Sequence, residues 1–146
     1  ERVEAEAKTL RKDLTAVQLQ MLDAEIEQWA AQADHIGGRT PMHVVHRAFS
    51  QRDNSILKEA ARRLVERPQT VVLLATEQPR PQFVFACSED LADQSPGLNM
   101  GRLMREACAA VGGKGGGRQA FAQGGAPEEA PIGPVLQYAV QQLSES

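Results

Sequence analysis

Residues 70–88, TVVLLATEQPRPQFVFACS, decide the fold class of this 146-residue chain. The run TVVLLAT at 70–76 is apolar throughout and has the length of a strand, which predicts a buried central strand. The two prolines within 77–81 predict a turn, and QFVFACS at 82–88 predicts the next strand. We therefore expect a hairpin at the centre of the domain.

Helices and strands alternate on both sides of this hairpin. The sequence predicts a strand over 42–49, a helix from an N-cap at 53–55 to Pro68, a helix over 98–111 and a last amphipathic helix over 134–144. Strands that alternate with helices are typical of α/β folds. We expect a small α/β domain with a mixed sheet.

Residues 1–36 predict one long helix, a coiled-coil arm that precedes the globular α/β domain of residues 37–146. Its apolar residues recur at alternating spacings of four and three, the pattern of a coiled-coil seam. The seam consists of Val3, Ala7, Leu10, Leu14, Val17, Met21 and Ala24. We expect four of these residues to carry oligomerisation through the arm, namely Leu10, Leu14, Val17 and Met21.

A second apolar seam follows, shifted by one residue from the first. The shift predicts that the apolar face of the helix packs first on a partner helix and then on a globular body. It consists of Leu22, Ile26, Trp29, Ala33 and Ile36. Gly37 and Gly38 follow at once and predict the helix C-cap.

Composition limits the class of protein. Hydrophobic residues make up 42% and charged residues 24%, which is ordinary for a globular domain, and no apolar run approaches the roughly 20 residues of a membrane span. The two cysteines, Cys87 and Cys108, are too few for a disulfide framework and lack zinc-site spacing, so we expect a reducing, cytoplasmic setting. The chain has no initiator methionine and begins within a helical pattern, so we expect a piece of a longer protein.

Charge is distributed unevenly along the chain. The net charge of −3 argues against a general nucleic-acid binder, and residues 1–36 hold four basic and eight acidic side chains. Residues 98–125 hold only one acidic residue, Glu106, against Arg102, Arg105, Lys114 and Arg118. If the protein binds a polyanion, we expect the contact there.

Five of the six positions 112–117 are glycine, with Lys114 among them and Arg118 next. We interpret 112–118 as a glycine-rich loop whose successive amides form an anion-binding nest, to which the lysine adds a point charge and the arginine a bidentate grip. The spacing fits neither a P-loop nor a dinucleotide fingerprint. A flexible linker, or a tight connection that needs glycine for packing, is the alternative.

Residues 98–125, with the core GGKGGGRQAFAQGG, closely resemble the DHH-associated domain that ends alanyl-tRNA synthetases, often called C-Ala. The layout resembles that family over nearly the whole chain: arm, IGG at 36–38, TVVLLAT, SEDL at 88–91, glycine loop and final helix. The resemblance implies a non-catalytic module that holds the elbow of tRNA(Ala), brings the aminoacylation and editing domains of the same chain onto one tRNA, and forms a homodimer.

The resemblance also implies which residues bind RNA. It places the contact on the loop, at Lys114, Gly115, Gly116, Gly117 and Arg118. Arg102 and Arg105 are three residues apart on one predicted helix and are expected to extend the phosphate track, with solvated charges as the alternative.

We expect no catalytic residue, metal ligand or cofactor. The His-x-x-x-His and Cys-x-x-x-His pairs of the family's editing zinc site do not occur, and His43 and His46 should lie on opposite faces of a strand. His35 is predicted to interact with the C-terminal end of the long helix.

Two other functions remain open. The fragment would be a dimerisation or assembly domain without RNA contact if its glycine loop is purely structural. It would be the nucleotide-binding domain of a DHH-type phosphoesterase if a partner domain supplied the Asp-His-His metal motif, of which this chain holds only Asp34-His35-Ile36. The tail of a free-standing alanyl-tRNA editing protein shares the same module.

Overall fold

Six strands form one mixed sheet. In the computed structural model, which describes residues 2–36, 41–78, 80–93 and 98–144 and the side chains of the first helix from residue 16 onward, the strand order is β1-β2-β3-β4-β6-β5. The strands are β1 (Asp34–Ile36), β2 (Met42–Gln51), β3 (Thr70–Gln78), β4 (Gln82–Cys87), β5 (Lys114–Gly117) and β6 (Phe121–Gly125). The pair β2–β3 is parallel and the other neighbours are antiparallel. The prediction of a small α/β domain with a mixed sheet is confirmed.

Helices cover both faces of the sheet. They are α1 (Arg2–Ala31), α2 (Asn54–Leu64), α3 (Glu89–Ala92), α4 (Met100–Ala109) and α5 (Gly133–Ser144). Val72 and Leu74 of β3 pack in one apolar cluster with α1 and α2, whereas Val71 and Leu73 pack in another with α4 and α5. Because successive side chains of a strand face opposite sides, a strand covered on both faces is apolar at successive positions, as 71–75 are.

The first helix is shorter than predicted. It ends at Ala31, not at residue 36, and Asp34–Ile36 forms strand β1, which pairs with Met42 to Val44 of β2. Pairing with β2 supplies hydrogen-bond partners for the backbone of this segment. Ile36 packs against the apolar cluster that includes α4 and α5, instead of continuing the apolar stripe of a helix. The predicted role of His35 is also wrong, since its ring contacts His43 on the neighbouring strand, with centroids 4.5 Å apart.

Several features of the predicted arm stay predictions. The described residues include one N-terminal helix, and the side chains of Leu10 and Leu14 lie outside the described residues, as do Gly37 and Gly38. The division of the chain into an arm of 1–36 and a domain of 37–146 likewise stays a prediction.

The C-terminal half of α1 packs on the body of the domain, as the second seam predicts. Leu22, Ile26 and Trp29 are buried in the cluster that includes α2. Ion pairs flank this contact: Arg63 to Asp23 at 2.9 Å, Arg52 to Glu25 at 3.1 Å, and Arg67 to Glu27. The guanidinium of Arg52 also lies over the Phe49 ring, 4.4 Å from its centroid, a cation–π arrangement.

We predict that Ile26→Ala lowers the free energy of unfolding by about 2–4 kcal/mol, because it removes buried methyl groups and leaves a cavity between α1 and α2. Gln20→Ala is the control on the same helix, since Gln20 is exposed beside the seam and the variant should lose well under about 1 kcal/mol. Urea unfolding of both variants measures the difference. Equal losses would show that this stretch of α1 is not docked in solution.

Candidate nucleic-acid interface

The glycine-rich segment is a strand and not a loop. Lys114–Gly117 forms β5 and pairs with β6 in antiparallel register, so that Gly115 lies opposite Gly124 and Gly116 opposite Gln123. Glycine has low strand propensity, but here its missing side chain lets the strand lie against a helix. The prediction of a loop over 112–118 is therefore wrong over these four residues.

Helix α4 packs directly on the backbone of β5. A Cβ atom on Gly115 would lie 2.6 Å from Cγ of Met104, closer than real side chains approach each other. A Cβ on Gly101 of α4 would collide with the carbonyl group of Gly117. The alternative that glycine serves packing is thus correct at these positions.

The turn after β5 is fastened to the start of α4. The amide of Met100 donates to the carbonyl of Gln119 at 2.8 Å, and that of Gly101 donates to the carbonyl of Arg118 at 3.0 Å. The side chain of Asn99 accepts from the amide of Arg102 at 3.0 Å. These bonds occupy the donors of the first turn of α4, so this helix end does not bind an anion, while the hairpin is held rigid.

The two faces of β5 differ. Alternation places Gly115 and Gly117 toward α4 and places Lys114, Gly116 and Arg118 on the opposite, outer face. A Cβ on Gly116 would have nothing within 4 Å. Lys114 and Arg118 are about 13 Å apart along the chain, and the three residues between them are glycines without side chains.

Lys114 and Arg118 are exposed, and neither forms an ion pair with any residue that the structure describes. By contrast Arg52, Arg63 and Arg67 are all paired with acidic side chains of α1. The hairpin cations are therefore available to an anion from outside the described part of the chain.

Only alternate amides of β5 point outward. The amide of Arg118 donates to the carbonyl of Phe121 at 2.8 Å, which makes these two residues a hydrogen-bonded pair. In an antiparallel ladder such pairs alternate, so Gly116 bonds toward β6 while the amides of Gly115 and Gly117 point to the free edge. The expected nest of successive amides is therefore wrong, because the ladder uses every second donor.

Arg102 and Arg105 are not on the outer face. Both lie on α4, which covers the opposite face of the sheet, and Arg102 is paired with Glu106 at 3.0 Å. Arg105 is exposed and forms no ion pair within the described ranges. Instead, the outer face includes Phe121 and Gln123 of β6, which sequence reasoning missed although the alternation of FAQGG could have indicated them.

The remaining reactive side chains are engaged in the fold. Burial raises the pKa of the Cys87 thiol to about 12 and that of Cys108 to about 11, so both stay protonated near neutral pH. His46 Nε2 lies 2.7 Å from Asp34 Oδ2.

In the described part of the chain, no three His, Cys, Asp or Glu side chains lie where they could together hold a metal ion. Nor does any described helix combine the length and apolar character of a membrane span.

The fold and the hairpin define a small mixed-sheet α/β domain with a cationic surface on a glycine strand. The family model of the DHHA1 domain matches residues 42–145, and the chain belongs to this family. The resemblance to the DHH-associated domain of alanyl-tRNA synthetases is thereby confirmed.

Relatives agree with this assignment. The chain is 26% identical over 145 residues to the alanine–tRNA ligase of Methanococcoides burtonii, covering 99% of this chain and 15% of the ligase. It is 29% identical over 136 residues to that of Paraburkholderia phytofirmans, again 15% of the ligase. The C-Ala domain from Aquifex aeolicus alanyl-tRNA synthetase has the same fold, with a TM-score of 0.66 and 24% identity over 77% of this chain and 97% of that one.

We predict opposite effects of alanine at two neighbouring glycines of β5. Gly117→Ala should cost about 1–3 kcal/mol of unfolding free energy, because its Cβ would lie 2.5 Å from the Phe121 carbonyl oxygen. Gly116→Ala should leave stability unchanged or raise it by up to about 1 kcal/mol, because its Cβ meets nothing and the unfolded chain loses freedom. Urea denaturation of both proteins checks this, and similar losses would contradict the assigned faces.

Proposed function

We propose that the chain is a non-catalytic tRNA-binding and oligomerisation module of an alanyl-tRNA synthetase. It holds the elbow of tRNA(Ala) and so supports aminoacylation and editing by other domains of the same chain, in the cytoplasm. One observation carries the RNA contact: Lys114 and Arg118 stand exposed and without acidic partners among the described residues, on one face of a strand whose intervening Gly116 is open. The choice of tRNA(Ala) as the RNA rests on the names of the relatives, which are alanine–tRNA ligases.

The outer face of β5 suits a sugar–phosphate strand. Lys114 offers a point charge and Arg118 a planar fork that can bind two phosphate oxygens. Between them, Gly116 lets a ribose or base approach the sheet backbone. Contacts of this kind position an RNA without reading its bases, so the folded shape and the 2′-hydroxyl groups supply the selectivity.

The rigidity of the hairpin favours this function. The bonds from Met100 and Gly101 to the turn fix the position of Arg118 before any ligand arrives. A preformed surface loses less conformational entropy on binding than a glycine loop would. Few charged contacts still give weak, salt-sensitive binding, so the module acts mainly through its tether to stronger domains.

We predict that Lys114→Ala combined with Arg118→Ala weakens binding to tRNA(Ala) and lowers the slope of log affinity against log salt by roughly one per cation. Titrations of the 146-residue chain at several salt concentrations measure both quantities. Arg47→Ala with Arg63→Ala is the charge-matched control and should leave both unchanged, because Arg47 lies on β2 and Arg63 is paired with Asp23 of α1, both away from the hairpin.

Two comparisons sharpen this test. Gly116→Val keeps the charge and fits the fold but fills the gap between the cations, so it should also weaken RNA binding. A tRNA(Ala) without its D-loop and T-loop corner should bind as weakly as the double variant. Unchanged RNA binding in the double variant would reject the hairpin as the contact. Mononucleotide binding without preference for tRNA would favour the phosphoesterase alternative.

Oligomerisation through α1 has its own support. Val17 is 50% and Met21 60% exposed, although both belong to the predicted first seam. The same seam continues through Leu10 and Leu14 toward the start of the helix. Large apolar side chains exposed at heptad spacing are typical of a helix that pairs with a second copy.

We predict that Leu14→Asp or Met21→Asp shifts a dimer toward monomer, because a carboxylate in the seam loses its hydration when two helices pair. Gln20→Asp, on an exposed position beside the seam, is the control and should leave the dimer intact. Light scattering across a wide concentration range measures the mass. A wild-type chain that is monomeric throughout this range would defeat the proposal.

A further inference from the structure

We infer that helix α2 forms a second wall of the RNA surface and that Lys58 contacts a phosphate of the strand that lies on the outer face of β5. This inference rests on the proposed function and extends its footprint from one hairpin to a concave corner between a helix and a sheet.

The helices above the outer face cover only part of it. Val84 and Ala86 of β4 are buried under α2. On the next strand Phe121 is half-buried against the same cluster, whereas Gln123 is exposed. Strands β6 and β5 therefore form an open floor beside α2, and Gly116 lies on that floor.

Lys58 lies on the flank of α2 that faces this floor. Arg63 marks the other flank, because its guanidinium bonds to Asp23 of α1 at 2.9 Å. At 100° per residue, Lys58 is about 140° around the helix from Arg63. Since α1 packs beside α2 over β2, the flank away from α1 is the one next to β6.

Lys58 also lies level with Gly116. The amide of Arg52, just before α2, donates to Thr76 Oγ1 at 3.0 Å, which places the start of α2 beside the row that Thr76 forms with Gln82, Gly125 and Lys114. From there Lys58 is about 6 Å along the helix, and Gly116 is about 6.6 Å along β5. Lys58 is therefore level with the gap between the two hairpin cations.

The charge of Lys58 is available. It is exposed and forms no ion pair within the part of the chain that the structure describes. Its neighbour Glu59 is held by Arg62 and Arg63, and the hydrogen bond from Arg62 lowers the pKa of this carboxyl group. Asp53, at the helix start, accepts from the amide of Ser55. Neither carboxylate is paired with the lysine.

The test is Lys58→Ala in the 146-residue chain, titrated with tRNA(Ala) at several salt concentrations. We expect affinity to fall roughly three- to tenfold and the salt slope to fall by about one. Arg63→Ala is the control on the other flank of the same helix, since Arg63 is paired with Asp23 of α1, and it should leave both values unchanged.

The outcomes separate this inference from the proposed function. If Lys58→Ala binds like wild type while the Lys114 and Arg118 double variant binds weakly, the wall on α2 is refuted and the hairpin contact stands. If the double variant also binds like wild type, the proposed function fails and this inference fails with it. Equal losses in Lys58→Ala and Arg63→Ala would show a general charge effect and overturn the assignment of one flank.

Discussion

The contact between α4 and the glycine strand is the constraint on which the candidate surface depends. The two backbones meet directly at Gly101, where a Cβ would collide with the Gly117 carbonyl, and at Gly115 the Met104 side chain of α4 packs on the strand backbone. This closeness lets the first amides of α4 bond to the carbonyls of Arg118 and Gln119 in the turn. A single larger side chain in this contact would push helix and hairpin apart. The cost would reach beyond the local clash, because the position of the turn, and of Arg118 with it, depends on the same bonds.

The same contact explains why the two faces of strand β5 differ. Gly115 has no room for a side chain because of Met104 of α4, and Gly117 has none because of Phe121 and Ala122 of β6. The outer face keeps Lys114 and Arg118. Gly116 is the exception, since a Cβ there would have no atom of the described residues within 4 Å. Packing among the described residues does not require this glycine, and under the proposed function it leaves room for a sugar–phosphate strand on the outer face.

Much of the fold follows from sequence pattern, and the misses have a common cause. The apolar runs of β3 and β4 and the Asp53 cap of α2 are strong local signals, and they predict their elements well. The strand at Lys114–Gly117 carries no such signal, because glycine disfavours strands unless tertiary packing demands it. Strand β1 was missed because Ile36 fits a helical spacing equally well. For the candidate surface, the sequence predicts Lys114 and Arg118. It could not show that Arg102 and Arg105 lie on the opposite face of the sheet, because that depends on which face α4 covers.

The distribution of charge explains why an acidic chain can still offer a surface to RNA. Three acidic side chains in the described half of α1, Asp23, Glu25 and Glu27, are paired with arginines of the body. These arginines lie on α2 or next to its two ends, and the pairs are on the side of α2 that faces α1, away from β6 and β5. The docked half of the helix therefore pairs these carboxylates with nearby arginines, away from the hairpin. Since screening weakens interactions beyond about 8–10 Å at physiological salt, RNA on the outer face of β5 would encounter the local cations more strongly than the net charge of the chain.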